Sequence, residues 1–262
     1  MEERRYELTS SEWNRIKRML PPEHPKSGQR GRPAKYDNRR IINGILWLAR
    51  SGAPWRDLPE RYGKWQAVYA RFRLWKQRGI FEAIFAALSA DADMENLSID
   101  STSCKVHQSA NGRGKTPEGG KKGQAIGMSR GGRNTKIHAI VDGLGNPLAL
   151  LLSPGNDHDS RYAVSLLGQA EIRGSNVIGD KAYGSQAIRE YITSREGSYT
   201  IPPKSDNPEP WFIDEHVYKE RHLVECFFQK IKWFRRIFTR YDKLDASFFA
   251  FVLVAASVIL LK

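Results

Sequence analysis

Apolar residues recur three and four positions apart along the first ninety residues, which is the spacing of amphipathic helices. Thr9 and Glu12 have the spacing of a capping box, in which each side chain accepts a hydrogen bond from the other residue's backbone amide. Proline or glycine follows each apolar segment and ends it. The pattern therefore predicts three helices, which begin near Thr9, Asn38 and Gly63 and end near Leu20, Gly52 and Gly79.

The second and third predicted helices resemble a helix-turn-helix, because a short turn is expected between them and the third is strongly basic. Its apolar stripe is accompanied by Arg71, Arg73 and Lys76, which are candidate DNA contacts. The alternative is a basic surface on an ordinary helical bundle. The proline-rich linker at residues 21–37 contains Arg30–Pro33, which suits phosphates or a minor groove but also suits a solvated linker.

Beyond residue 90 the pattern changes to short apolar runs that alternate with helical segments. This order predicts an α/β domain at residues 93–262, with a mixed sheet and flanking helices, after a small all-α domain at residues 1–92. The apolar run Ala246–Leu261 is shorter than the roughly 18 residues of a spanning helix, so we expect a buried helix and no membrane partner. The strands are predicted at residues 97–101, 137–141, 148–152, 177–180 and 199–202.

The charge balance favours a polyanionic partner, because 42 lysines and arginines face 29 acidic residues and the net charge is +13. An acidic protein or a membrane surface would also fit. Cys104 and Cys226 show no short pairing pattern, so neither a disulfide framework nor a zinc knuckle is visible, and no secretory signal is recognisable. We therefore expect a protein of the reducing cytoplasm.

Much of the positive charge lies in a glycine-rich insertion at residues 104–136, in which Glu118 is the single acid. Glycine at this density does not pack a core, so the segment is predicted to be mobile until an anion orders it. Arg130 and Arg133 of this insertion are candidate DNA contacts. The pattern G-x-x-x-x-G-K-[ST] does not occur in the sequence, so no nucleotide cofactor is expected.

A helix predicted to run from Tyr218 to Lys232 separates polar and apolar sides. At 100° per residue, Tyr218, Arg221, Glu225 and Lys232 fall within one stripe about 60° wide, opposite the apolar side. A solvated face with ion pairs would give the same pattern.

Two aspartates, Asp100 and Asp180, stand at or near the ends of predicted buried strands. Aspartate is unfavourable in strands, so two such positions call for a functional reason. Either one alone could be an ordinary strand-end or capping residue.

Together these residues resemble a known enzyme family. The spacing of Tyr218, Arg221, Glu225 and Lys232 is that of a Y-(2)-R-(3)-E-(6)-K signature, and Asp100 in IDSTS and Asp180 in GDKAYGS precede it. The chain thereby resembles the DDE transposases of bacterial insertion sequences, in the insertion-sequence four and five grouping. The segments at residues 31–59 and 129–142 are also similar to that group.

The resemblance implies a ribonuclease-H-like catalytic domain in which Asp100, Asp180 and Glu225 hold two Mg²⁺ ions, for which Mn²⁺ would substitute. It implies that Arg221 and Lys232 contact a DNA phosphate and that Tyr218 supports this contact. The expected function is cleavage of transposon ends and joining of their 3′-hydroxyls to target DNA, by a homo-oligomer that acts on double-stranded DNA in the bacterial nucleoid. Two alternatives stay open: a DNA-binding regulator derived from a transposase, and a metal-dependent nuclease without strand transfer.

Overall fold

The computed structural model describes residues 5–23, 35–110, 124–205 and 207–262. The Arg30–Pro33 segment and residues 111–123 of the glycine-rich insertion, for which DNA contact and mobility were predicted, lie outside these ranges. The helices are α1 (Ser10–Ile16), α2 (Asn38–Ser51), α3 (Trp65–Gln77), α4 (Ile80–Leu88), α5 (Ser160–Leu167), α6 (Gln186–Ser194), α7 (Glu215–Tyr218), α8 (His222–Lys232), α9 (Arg235–Phe238) and α10 (Asp245–Leu261). The strands are β1 (Asn96–Val106), β2 (Gly127–Ser129), β3 (Gly132–Val141), β4 (Pro147–Pro154), β5 (Asn176–Ile178), β6 (Ser198–Thr200) and β7 (Thr239–Arg240).

The sheet is mixed, with β1 at its centre. Strands β1, β3 and β4 form an antiparallel meander, and β5 and β6 add to the other edge of β1 in parallel. The order β4-β3-β1-β5-β6 is that of a ribonuclease-H-like fold. Of these strands, β5 is only three residues long, and a 3₁₀ turn at Lys181–Tyr183 follows it closely.

Local signals explain several of the helix ends. The capping box is present, with Thr9 and Glu12 bonded reciprocally at the start of α1. Asp37 caps α2 through its side chain, and Gly52 ends that helix with a positive φ of 71°. The apolar run near the C-terminus forms α10, which is buried along most of its length. None of the helices in the described ranges combines the length and the apolar character that a membrane span requires.

Two apolar cores lie on opposite faces of the sheet. Leu97 and Ile99 of β1 pack with α5 and α6 on one face. Cys104 of the same strand packs with α8 and α10 on the other face, and this second core continues into α1–α4. The N-terminal helices therefore share a core with the helices that cover the sheet.

Two predicted connections differ from the structure, and one helix was not predicted. The connection between α2 and α3 spans residues 52–64 and contains two 3₁₀ turns, because Pro54, Pro59 and Gly63 each interrupt helix formation, so it is not a short turn. The insertion at residues 104–136 is not one loop, since β1 extends to Val106 and β2 and β3 form a hairpin within it. Helix α4 was not predicted at all.

Candidate active site

Asp100 lies on β1, and Asp180 follows the adjacent strand β5 by two residues. The last parallel pair of β1 and β5 is Ser98 with Ile178, Asp100 and Asp180 each follow it by two residues, and the charge of Asp180 acts on Asp100. Neighbouring strands are about 4.8 Å apart, which brings the two carboxylates close together at the carboxyl end of β5. Asp100 lies within β1 rather than at its end, where the longer strand continues to Val106.

Backbone amides hold both aspartates. Asp100 Oδ1 accepts a hydrogen bond from the Ser101 amide at 2.7 Å. Asp180 Oδ1 accepts one from the Ala182 amide at 2.8 Å and so caps the 3₁₀ turn Lys181–Tyr183. These bonds orient each carboxylate while a second oxygen stays available for other partners.

Arg221 connects the third carboxylate to the first. Its Nη1 donates to Asp100 Oδ2 at 3.0 Å, and its Nη2 donates to Glu225 Oε1, one helical turn along. The Arg221 side chain is 25% exposed and that of Glu225 48% exposed, so this pair faces the solvent side of the site. The guanidinium thereby draws Glu225 towards β1, as a fork that contacts two carboxylates.

The predicted single helix from Tyr218 to Lys232 is interrupted. A 3₁₀ turn, Lys219–Arg221, separates α7 from α8. A 3₁₀ turn has about three residues rather than 3.6, so it rotates Tyr218 by about 60° relative to its position on an ideal α-helical wheel. Tyr218 is half-buried and remains within electrostatic range of Arg221.

Lys232 reaches the same face of β1 as Asp100. Its Nζ donates to Thr102 Oγ1 at 2.5 Å. Residues two apart on a strand share a face, so Lys232 and Asp100 lie on the same side of the sheet. The segment from Arg221 to the end of α8 thus meets the site at two points, Arg221 and Lys232.

The environment of Asp100 disfavours its charge. Burial raises the pKa of Asp100 to about 6, against the opposing effects of the Ser101 amide and the Arg221 guanidinium, and the neighbouring carboxylates Asp180 and Asp159 raise it further. A carboxyl group surrounded by other carboxylates is stabilised in its ionised form by a nearby cation. The site is therefore suited to binding positive charge.

The donor types fit a hard divalent cation, since Mg²⁺ prefers carboxylate oxygens. Asp100, Asp180 and Glu225 converge on one end of the sheet, the first two through strand register and the third through Arg221. Within residues 5–23, 35–110, 124–205 and 207–262, however, no three His, Cys, Asp or Glu side chains already have the spacing of a shared metal shell. The guanidinium of Arg221 stands between Asp100 and Glu225 in this conformation.

The structure adds residues that the sequence reasoning missed. Asp159 pairs with Lys136 Nζ at 2.8 Å. Burial, together with Asp159, Asp100 and Asp180, raises the pKa of the Tyr183 phenol, which is 1% exposed. Lys136 occupies an inner strand, and a charged residue at such a position was the one signal in the sequence that could have identified this pair.

The predicted DNA contacts outside the carboxylate site have different surroundings. Arg71 donates to Asn38 Oδ1 at 3.0 Å, and Lys76 donates to Ser247 Oγ at 2.9 Å, whereas Arg73 is exposed. Arg130 and Arg133 are exposed on the hairpin of β2 and β3. The structure does not bring these five residues into the carboxylate site.

Comparison with known proteins gives matches over nearly the whole chain. A family model described as "Putative transposase of IS4/5 family" matches residues 8–85, and a model described as "Transposase DDE domain" matches residues 91–260. A Brucella ovis protein named "Putative transposase for insertion sequence element IS6501" is 40% identical over 132 residues, which are 49% of this chain and 98% of that protein. "Uncharacterized protein y4sN" of Sinorhizobium fredii is 38% identical over 125 residues, 47% of this chain and 96% of that protein.

Among solved structures, a piggyBac transposase synaptic complex with hairpin DNA aligns with a TM-score of 0.48 at 12% identity, over 91% of this chain and 68% of that one. A Mos1 transposase paired-end complex aligns with a TM-score of 0.28 at 12% identity, over 79% of this chain and 81% of that one. Both likenesses are too distant to bear on the roles of residues. The family matches, which cover residues 8–85 and 91–260, show that the chain belongs to the DDE transposases of the IS4/5 group and is a DNA-transposing enzyme of the polynucleotidyl transferase class.

Proposed function

We propose that this transposase cuts and joins DNA with divalent cations, two Mg²⁺ or Mn²⁺ ions, held by Asp100, Asp180 and Glu225. The observation that carries the proposal is the convergence of these three carboxylates on one end of the sheet, through the register of β1 with β5 and through the Arg221 fork. When bound, such a pair of ions stabilises the attacking and the leaving oxygen of an in-line phosphoryl transfer.

The chain's own residues supply the positioning. Arg221 and Lys232 present positive charge beside the carboxylates and would hold the phosphate next to the scissile bond, with Tyr218 in support. Arg221 would exchange a carboxylate for a phosphate oxygen, which a guanidinium binds with the same fork geometry. Thr102 accepts a hydrogen bond from Lys232 on the face of β1 that carries Asp100. The ammonium group is therefore positioned beside the carboxylates before substrate binds.

The partner is inferred to be double-stranded DNA, as transposon ends and then as target. In this proposal residues 1–92 bind the ends and residues 93–262 carry out the chemistry in the bacterial nucleoid. Because α1–α4 share a core with α8 and α10, DNA held by the N-terminal helices would be fixed relative to the carboxylates. Two ends must be brought together for joining, so at least a dimer is expected on DNA.

The test is Glu225→Gln, which keeps the size of the side chain and removes its charge. We expect cleavage of a plasmid that carries the element's ends to fall by about a thousandfold or more, equivalent to about 4 kcal/mol of transition-state stabilisation, while DNA binding changes by less than about threefold. The matched control is Glu215→Gln, an exposed glutamate of α7 that should leave cleavage unchanged. Wild-type cleavage by Glu225→Gln would refute the site.

The same preparation separates the alternatives. Supplied with pre-cleaved ends and a target plasmid, a transposase yields joined products, a nuclease yields cuts alone, and a regulator binds without either product. Joined products from the wild type that disappear with Glu225→Gln are the expected result.

A further inference from the structure

A cleft of about 420 Å³ opens beside Asp180, on the side away from α8. Three lysines line it: Lys136 from β3, Lys181 from the turn after β5, and Lys204 from the segment after β6. Asp159 and Asp180 provide its acidic side chains. The cleft therefore adjoins one of the three carboxylates, and the proposed chemistry assigns no role to its lining residues other than Asp180.

The three lysines are not equivalent. Lys136 is neutralised by Asp159 at 2.8 Å and also donates to the Asp157 carbonyl at 2.8 Å. Lys181 and Lys204 are exposed, and neither forms an ion pair with any carboxylate in the part of the chain that the structure describes. These two ammonium groups are therefore available to a ligand that approaches from solvent.

The backbone of Lys181 is also held close to the carboxylate site. It follows Asp180 directly, and the hydrogen bond from the Ala182 amide to Asp180 Oδ1 closes the turn that carries it. The backbone of a short capped turn moves less than that of a long loop, so the stem of the Lys181 side chain starts from a nearly constant position beside Asp180. Such constancy is what a positioning contact requires.

The cleft and α8 lie on opposite faces of the sheet. Lys136 pairs with Ser103 of β1, whereas Lys232 contacts Thr102, the preceding residue of that strand. Successive residues of a strand point to opposite faces, so the carboxylates have cations on both sides, Arg221 and Lys232 on one and the cleft lysines on the other. A nucleic-acid strand carries a negative charge at every nucleotide and could contact both sides as it crosses the site.

We propose that this cleft binds backbone phosphates of the DNA strand that crosses the site, with Lys181 and Lys204 as the contacting residues. The proposal rests on the proposed function, because the ligand is the DNA whose cleavage is assigned to Asp100, Asp180 and Glu225. It adds a second anchoring point on the far side of Asp180 from Arg221 and Lys232. Both lysines act as positioning residues.

The first experiment measures DNA binding in the Glu225→Gln background, in which strand cleavage is expected to be lost. Binding of a short DNA duplex of arbitrary sequence is followed as a function of salt concentration. Lys181→Gln combined with Lys204→Gln should weaken binding by about tenfold near physiological salt and reduce the slope of log K against log salt by about 1.8, since each phosphate contact contributes about 0.9. The control pair is Arg195→Gln with Lys262→Gln, two exposed cations outside the cleft, which should leave the slope unchanged.

The second experiment locates the contact. A photo-crosslinker is attached at Lys204→Cys in a Cys226→Ser background, because the remaining cysteine, Cys104, is buried. Crosslinks to DNA are expected from position 204 and not from Arg195→Cys at the end of α6. An unchanged salt slope for the lysine pair, or DNA binding without a crosslink from position 204, overturns the cleft proposal.

The two proposals fail in different ways. If the lysine pair, with Glu225 intact, cuts and binds DNA as the wild type does, the cleft proposal alone is wrong. If the wild type binds no DNA, or if Glu225→Gln cuts as well as the wild type, the proposed function is wrong as well. If the lysine pair loses affinity with the predicted slope and the crosslink forms, the cleft is established as a phosphate site.

Discussion

Helices α3 and α8 both carry an apolar stripe and a set of cationic side chains, and they contact different parts of the molecule. On α3, Arg71 bonds to Asn38 of α2, and Lys76 bonds to Ser247 of α10. On the segment that leads into and forms α8, Arg221 and Lys232 bond to β1, at Asp100 and at Thr102. The amphipathic pattern and the positive charge are alike in the two helices. Neither property therefore distinguishes a cationic side chain that joins two helices from one that lies in the carboxylate site.

The partners make the difference. Asn38 and Ser247 are neutral and belong to helices, so Arg71 and Lys76 join neighbouring helices of one core. Asp100 is a strand carboxylate that other carboxylates surround, so the cation bound to it is placed where negative charge collects. A basic helix is thus a stronger candidate for chemistry when its cations meet acidic residues from a different element.

Substitution of Arg221 and of Arg71 should give the largest difference between a cation of the carboxylate site and a cation that joins two helices. Arg221→Gln is expected to lower strand cleavage by about 100- to 1000-fold, about 3 to 4 kcal/mol, because it removes the fork from Asp100 and Glu225 and the charge offered to phosphate. Arg71→Gln should lower cleavage by no more than about threefold. The measurement is the rate of plasmid cleavage at saturating protein, with thermal unfolding to show that both variants fold.

The comparison of the arginines fails if Arg71→Gln lowers cleavage as much as Arg221→Gln does. In that case α3 would contribute to the reaction as directly as the segment that contains Arg221.

The pH dependence of stability should reveal the raised pKa of Asp100, the carboxylate that Arg221 contacts next to α8. Because burial raises the pKa of Asp100 to about 6 from 3.8, the folded protein binds a proton more tightly than the unfolded chain does. This proton binding stabilises the folded protein fully below about pH 4, and the stabilisation is lost as the pH rises through about 6. The free energy of unfolding is expected to fall by at most about 3 kcal/mol over this range.

Urea unfolding of the wild type and Asp100→Asn, in buffer with a chelator, measures this directly. The wild type should lose stability relative to Asp100→Asn between about pH 4 and pH 7. In Arg221→Gln the loss should extend to higher pH, since the guanidinium lowers the pKa of Asp100. A difference between wild type and Asp100→Asn that stays constant with pH would show that the Asp100 environment is not as described.

Much of this arrangement could be predicted from the sequence, wherever the signal was local. Thr9 with Glu12 marked the start of α1, and Gly52 marked the end of α2. Asp100 and Asp180 were noticeable because aspartate is rare in buried strands, and their strands proved to be adjacent. Strong local preferences and strand-end chemistry are properties of a few neighbouring residues, so one sequence contains them.

Other parts depended on contacts between distant residues. The pairing of Lys136 with Asp159 requires β3 to lie beside the start of α5, and nothing near either residue specifies this. The bond between Lys76 and Ser247 joins residues 171 positions apart and removes Lys76 from the set of exposed cations on α3. The 3₁₀ turn before α8 was hidden for another reason, since its residues are compatible with an α-helix. Strand register and tertiary packing determine such features, and both depend on residues that are far apart in the sequence.

The two lysines give the smallest and most specific test of the comparison between α3 and α8. Lys232→Gln should lower cleavage by about tenfold and reduce the salt slope of DNA binding by about 0.9, because one phosphate contact is lost. Lys76→Gln should change neither the cleavage rate nor the salt slope, because the ammonium group of Lys76 is bonded to Ser247 and is not offered to DNA. Burial also lowers the pKa of Lys76, so its positive charge is less favoured at this position. If Lys76→Gln instead reduces the slope as Lys232→Gln does, Lys76 must leave Ser247 to reach DNA, and α3 takes part in binding through the face that now packs on α10.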